Sequence, residues 1–190
     1  IMTEQIRLRK GLDIKLKGRA KKQTMPLESS KLYAIVPDDF VGVTPKMAVK
    51  AGDHVKAGET LFVNKISEEV RFASPVSGIV KSIERGDRRK ILYVSVEADD
   101  EQKFADFGTK DIQTLDGEGV KKALLEAGLF GYINQLPYAV STTPDTKPKA
   151  IFVSALRDKP LAGDFEYELK GQEESFQVGL TALSKIAKVY

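Results

Sequence analysis

The chain contains no cysteine and no tryptophan, only one histidine, and no apolar run of bilayer-crossing length. Without cysteine, neither disulfides nor iron–sulfur clusters nor thiolate metal sites can be built from these residues, and the composition fits a reducing compartment. A membrane helix needs about 20 consecutive apolar residues. None is present, and no signal peptide opens the chain, so any membrane link is expected to be peripheral. The histidine, His54, follows a Gly-Asp pair and has no second histidine or carboxylate at ligand spacing. It therefore reads as a surface turn residue, and no metal site is nominated. A dominant charge is missing too: 30 basic and 27 acidic side chains leave a net +3, spread along the chain. Nucleic-acid binding needs a clustered basic stripe, so nucleic acid is not an expected partner. The densest basic stretch, Lys10 through Lys22, reads either as a solvated face or as a docking surface for anionic lipid or an acidic partner. No Ser-His-Asp set, paired histidines, phosphate loop or acid–base dyad occurs, so no catalytic residue is nominated.

What is present points to two small domains, 1–103 and 104–190. With 190 residues and 42% apolar content, the chain can bury roughly 70% of its unfolded surface. Residues 46–97 are written as two similar halves, each with a β-rich run before a Gly-Asp turn and another after it. In the first half residues 49–53 lead into Val55, and a second turn at Gly58 precedes 61–63. In the second, 79–84 lead through Gly86-Asp87 into 91–96. Short strands joined by Gly-Asp turns predict hairpins. Between the halves, Ala73-Ser74-Pro75-Val76-Ser77-Gly78 combines a proline that donates no ladder hydrogen bond with a glycine free to take positive φ, so the chain can cross from one sheet to another there. The layout is that of a β-rich barrel-sandwich hybrid of the lipoyl-carrier type.

Such a domain is either architectural or a covalently modified carrier, and Lys65 decides between them. It lies between a strand ending at Val63 and one starting near Val70, as a carrier lysine would. Its neighbours Asn64 and Ile66 match neither the acidic-then-small surroundings of a lipoyl lysine nor the flanking methionines of a biotinyl lysine. The architectural reading is preferred.

After Glu97 a charged connector, residues 99–103, precedes a switch in apolar period from two to 3.6. Asp116 can cap a helix carrying Val120, Leu124, Leu125 and Leu129 on one face, with Gly128 as a stop signal. Residues 149–156, KAIFVSAL, form a continuous apolar run of the kind buried on both faces of a parallel sheet. A second helix is predicted over 172–188 with Phe176, Leu180, Leu183 and Ala187 on one face, acids at its start and lysines at its end. Strand, helix and then Val189-Tyr190 read as an unfinished α/β unit, so a fragment of a longer protein is expected, its Rossmann-like second domain truncated at the C-terminal end. A nucleotide cradle would need glycines at a helix N-terminus; the nearest candidate, residues 128–138, carries bulky side chains instead. As the lining for a flat apolar ligand such as a quinone, Phe130, Tyr132, Pro137 and Tyr138 are the nominated residues.

Several segments in order, Ile6-Arg-Leu-Arg-Lys-Gly-Leu-Asp13, Val41-Gly-Val-Thr-Pro-Lys-Met47 leading into Val49-Lys-Ala-Gly-Asp-His-Val-Lys56, Ser74-Pro-Val-Ser-Gly78, and Ala150-Ile-Phe-Val-Ser-Ala155 running to Pro160-Leu-Ala162, carry a resemblance over essentially the whole chain. It resembles the A subunit of the sodium-translocating NADH:quinone oxidoreductases. The resemblance implies a peripheral subunit on the cytoplasmic face of the cell membrane, docked on membrane-embedded partner subunits in which FMN, FAD and iron–sulfur centres are expected. It also implies a structural role in a complex passing electrons from NADH to quinone and pumping sodium, with no cofactor of its own and activity only in the assembly. The A subunit is similar in turn to the flavin-binding subunit of complex I and to the C subunit of the Rnf-type complex. The glycine loop that holds FMN in those relatives corresponds here to 128–138, where the missing glycines argue against FMN. Where a polar Asp-Thr-Asn-like string is expected before Pro160, this chain has Arg157-Asp158-Lys159. Two alternatives stay open: an Rnf-type electron-transfer protein, and a lipoyl or biotin carrier modified at Lys65.

Overall fold

Seven short strands, apolar on their inward positions, build the first half of the molecule. A computed structural model of the chain describes residues 11, 16–18, 21–155 and 162–190. Most of the 6–13 motif, much of the basic stretch and the 157–159 string thus lie outside the described residues.

Strands β1 (Leu32–Ile35), β2 (Pro45–Met47), β3 (His54–Val55), β4 (Thr60–Asn64), β5 (Ser67–Ala73), β6 (Gly78–Arg85) and β7 (Ile91–Ala98) form two antiparallel sheets. One has the order β1-β7-β6-β3 and the other β2-β4-β5. Leu61, Phe62, Val70, Phe72, Val80 and Val94 are sealed from solvent between them. Phe62 and Phe72 stack with centroids 4.8 Å apart, and Phe40 closes on Phe72 at 4.4 Å. Each buried side chain of this size is worth about 1.5–3 kcal/mol over its exposed state.

The two sequence halves fold differently. Across Gly86-Asp87, β6 and β7 do pair as a hairpin, closed by a 3-10 turn at Asp87–Arg89 with Arg88 and Arg89 at φ 52° and 61°. In the first half no hairpin forms: residues 49–53 make turns rather than a strand, β2 pairs with β4, and β3 pairs with β6 in the other sheet. The Gly52-Asp53 turn therefore carries the chain between sheets. Hydrogen bonds explain this, because the Asp53 carboxylate accepts from Lys50 N–H at 2.9 Å while Gly52 N–H donates to Val80 O at 2.8 Å, so the turn is tied to β6. The Ser74–Gly78 corner does cross between sheets, from β5 to β6. The reason for its glycine is steric and not a positive φ: a Cβ on Gly78 would stand 1.9 Å from Glu97 O.

In the second half Asp116 caps helix α1 (Gly117–Glu126), its carboxylate accepting from Gly119 N–H at 2.7 Å. The helix stops as its sequence predicts. Gly128 (φ +70°) donates to Leu125 O and Leu129 N–H to Leu124 O, which satisfies two terminal carbonyls and leaves Leu129 outside the helix, exposed. A short helix α2 (Phe165–Leu169), absent from the sequence prediction, is capped by Asp164, which also pairs with Lys22. The predicted 172–188 helix is shorter, α3 (Glu173–Ser184). Lys185 no longer sits within it; its ammonium donates to Leu115 O at 2.6 Å and ties α3 to the entry of α1. The 149–156 run is the main correction. Ile151 and Val189 do form a parallel bridge, with Ile151 N–H on Lys188 O, Tyr190 N–H on Ile151 O and Val153 N–H on Tyr190 O, at 2.8–2.9 Å. The expected burial on both faces is not found: Phe152 is exposed and stacks only on Tyr190, because no described strand or helix covers that side. Among the described residues no helix is long and apolar enough to cross a membrane.

Candidate functional site

Where α1 meets the barrel, small residues from four segments leave a cleft. The connector after β7 returns to the barrel through Ala57 N–H on Lys103 O (2.9 Å) and Ala105 N–H on Ala57 O (2.8 Å). Gly58, in a left-handed turn, accommodates the Phe107 ring, which a Cβ would meet at 3.2 Å. The C-terminal glycine of α1 is equally constrained: a Cβ on Gly128 would lie 3.0 Å from Ala73 Cβ. Ala34, Gly58, Ala73, Ala127 and Gly128, together with Ile35, Ser74 and Pro75, form the floor of a cleft of about 340 Å³ that Leu129 and Tyr132 also line.

The next turn positions Tyr132. In the 3-10 segment Phe130–Tyr132, Phe130 drops into the barrel core and Gly131 lies flush on Phe72, where a Cβ would stand 2.7 Å from the ring. Tyr132 is turned outward, its ring edge-on to Phe40 at 5.0 Å. About half of Tyr132 remains exposed, and burial of the rest pushes its phenol above the ordinary tyrosine value. At neutral pH it is a protonated hydrogen-bond donor.

The four nominated aromatic and proline residues are therefore not gathered in one place. Tyr132 lines the cleft, Phe130 is structural core, and Pro137 and Tyr138 sit exposed at the tip of a hairpin formed by β8 (Asn134–Gln135) and β9 (Val140–Ser141). Sequence reasoning missed the small residues of the floor, which come from β1, the Gly58 turn, the β5 end and α1. The glycine at 128 was legible only as a helix stop.

Two other nominated residues have clear surroundings. Lys65 and Ile66 form the two-residue turn between β4 and β5, exposed as expected, and Lys65 N–H donates to Thr44 O at 2.7 Å. His54 is not in a turn but in β3, and a carboxylate does reach it: Nε2 lies 2.9 Å from Asp99 Oδ2, a partner 45 residues away in sequence that spacing alone could not reveal. Desolvation pushes the Asp99 carboxyl up, but hydrogen bonds from His54 and Ser77 outweigh it and hold the group below its usual value.

The family descriptions that match are "NqrA N-terminal barrel-sandwich hybrid domain" over residues 6–99 and "NqrA second alpha/beta domain" over 115–190. The chain belongs to this family, the A subunits of the Na(+)-translocating NADH-quinone reductases. Both folds agree with the two halves described above. Among curated relatives, each named as the A subunit of a Na(+)-translocating NADH-quinone reductase, the protein of Cellvibrio japonicus is 36% identical over 185 residues, 96% of this chain and 41% of the relative. That of Pseudomonas aeruginosa UCBPP-PA14 is 32% identical over 187 residues, 97% and 42% respectively. That of Haemophilus influenzae PittGG is 34% identical over 183 residues, 95% and 41%. The chain spans about two-fifths of the length of these relatives.

Proposed function

We propose that this chain is part of a peripheral, cytoplasmic-face subunit of a sodium-pumping complex that passes electrons from NADH to quinone, and that the cleft beside Tyr132 receives the quinone headgroup. The flavins and iron–sulfur centres belong to partner subunits, and the chain alone has no turnover. Family membership supports the complex, and the cleft supports the quinone. Alanines and glycines supply half of the lining and leave room for a flat ring, Ile35 and Pro75 offer it apolar contact, and the protonated phenol of Tyr132 can donate to a quinone carbonyl. Leu129 in the same lining offers apolar contact to a prenyl tail. Phe130 acts through packing, and Pro137 and Tyr138 lie beyond the cleft, so Tyr132 is the residue that carries the reading.

The test uses the full-length protein in its assembled complex. Tyr132→Phe should raise the quinone KM about threefold to tenfold, the worth of one hydrogen bond, with NADH oxidation by a soluble one-electron acceptor unchanged. Unaltered quinone kinetics in Tyr132→Ala would remove the cleft from the quinone path. Recovery of the wild-type protein without flavin-containing partners would sink the complex itself and bring a carrier modified at Lys65 forward. An adduct on Lys65 in the intact mass would then decide.

A further inference from the structure

Two hairpin tips present large, mostly exposed apolar side chains. On the β4–β5 turn Ile66 is 78% exposed; on the β8–β9 tip Leu136 is 67% and Tyr138 81% exposed. Single exposed apolar residues are ordinary. These are mechanically joined, because both tips hang from one connector, residues 41–44. Ser141 N–H donates to Val41 O at 2.8 Å and Lys65 N–H to Thr44 O at 2.7 Å. The buried Asn64 carboxamide accepts from Thr44 N–H at 3.4 Å and from Ile66 N–H at 3.3 Å. Gly42 packs on Val140, and Val41 on the connector is itself 52% exposed. The frame also holds strain: Ala139, beside the most exposed aromatic, is left-handed at φ +53°, a conformation that a residue with a Cβ adopts at a cost.

We infer that this face, Val41, Ile66, Leu136 and Tyr138 with Lys65 beside them, is the surface on which a partner protein of the complex docks, through an apolar segment bearing an acidic residue opposite Lys65. The inference rests on reading the chain as a subunit of an assembly. Tyrosine and aliphatic side chains held on pre-ordered tips lose little entropy on binding and are typical interface anchors. Charge selects a protein over a bilayer. Lys46 is paired with Glu68 at 2.6 Å, and Glu69 and Arg71 on β5 offset each other, so Lys65 is left as a single unbalanced charge, far short of the cluster of roughly four to eight basic residues that reads as an anionic-lipid site. Lys65 has no ion-pair partner among the described residues and offers one local contact to a carboxylate.

The experiment is purification of the tagged full-length protein from detergent-solubilised membranes, with co-eluting flavin measured per mole of tagged protein. The variant Ile66→Ser/Leu136→Ser/Tyr138→Ser should lose flavin about tenfold or more with its own melting temperature unchanged, while Phe104→Ser, at an equally exposed aromatic elsewhere, keeps it. Lys65→Glu should weaken retention and Lys65→Arg should preserve it. Wild-type flavin in the triple variant overturns the docking face alone. Binding of the wild-type protein to phosphatidylcholine–phosphatidylserine vesicles, lost in the triple variant, overturns it in favour of a lipid surface. A wild-type protein that elutes without flavin overturns both the assembly reading and this inference.

Discussion

The barrel-sandwich and the α/β unit behind it are built from similar amounts of apolar sequence, yet only the first is closed. Between its two sheets Leu61, Phe62, Val70, Phe72, Val80 and Val94 lose all solvent contact. In the second unit α3 has no buried residue, and the groove between α1 and α3, lined by Val120, Leu124, Val153, Phe176, Leu180 and Leu183, stays open to about 360 Å³. Next to the Ile151–Val189 bridge, the exposed Phe152 and Tyr190 rings stack on each other, with the Lys188 ammonium 4.5 Å from the Tyr190 ring centroid. Two antiparallel sheets can supply both walls of a core from one short segment, with neighbouring strands paired locally. A parallel sheet needs helices over both faces and several strands between them. The same apolar residue therefore carries very different weight in the two regions.

Substitutions of glycine should show this contrast most sharply. Gly78→Ala puts a methyl 1.9 Å from Glu97 O and must break the β6–β7 pairing, so cooperative unfolding of the barrel in urea should be lost or shifted by more than any other single change. Gly179→Ala, in α3 with nothing near its Cβ position, should instead stabilise by about 0.5–1 kcal/mol by removing helix-interior glycine. A second pair tests packing. Phe72→Ala should cost about 3–5 kcal/mol, whereas Leu180→Ala, on an open groove, should cost about 1 kcal/mol because little burial is lost. Equal losses for these two would mean that the groove is filled in solution. Removal of the α1 cap, Asp116→Ala, should lower stability by about 1 kcal/mol, with the loss confined to probes of the second unit.

Acid should give the smallest and most evenly shared effect. A hydrogen bond from Lys110 holds Glu126 below its usual value, one from Lys22 does the same for Asp164, and Asp99 is held down by His54 and Ser77 against its desolvation. A carboxylate depressed in the folded state favours folding above its unfolded pKa and loses that contribution as pH falls through the folded one. Ordinary carboxylate values are about 3.9–4.3, so stability should hold down to that range and decline beneath it. Removal of the Asp99 partner in His54→Ala should move acid unfolding of the barrel, followed by circular dichroism, to slightly higher pH. An unchanged acid midpoint would show that the pair is too solvated to matter.

Local signals were read well wherever the chain itself supplied the partner. The Asp116 cap and Gly128 stop bracketed α1, Gly86-Asp87 marked a hairpin, and the Ser-Pro-Val-Ser-Gly corner marked a change of sheet. The first Gly-Asp turn was misread as a hairpin because its composition matches the second, while the choice of partner strand depends on β6, about 25 residues further on, a distance no turn motif encodes. Helix α2 was missed because five residues carry too little period to register. The strand predicted at 149–156 is reduced, over its described residues, to one isolated parallel bridge at Ile151, and its expected burial is not found, since a continuous apolar run reports what a segment would bury and not whether anything covers it.

For the candidate site the division is similar. Residues 128–138 stood out in the sequence as a bulky, aromatic stretch where a flavin loop would need glycine, and absent cysteine excluded iron–sulfur chemistry from the chain itself. These are properties of composition and of backbone freedom at single residues, which need no neighbours. Tertiary structure alone decided which aromatics face the cleft. One 3-10 turn, forced close to Phe72 by Gly131, buries Phe130 and turns Tyr132 outward within three residues, and the alanines and glycines of the floor arrive from segments as much as 94 positions apart. Sequence specifies what each residue can do; the meeting of distant small residues, set by packing density in the core, determines where a ligand can fit.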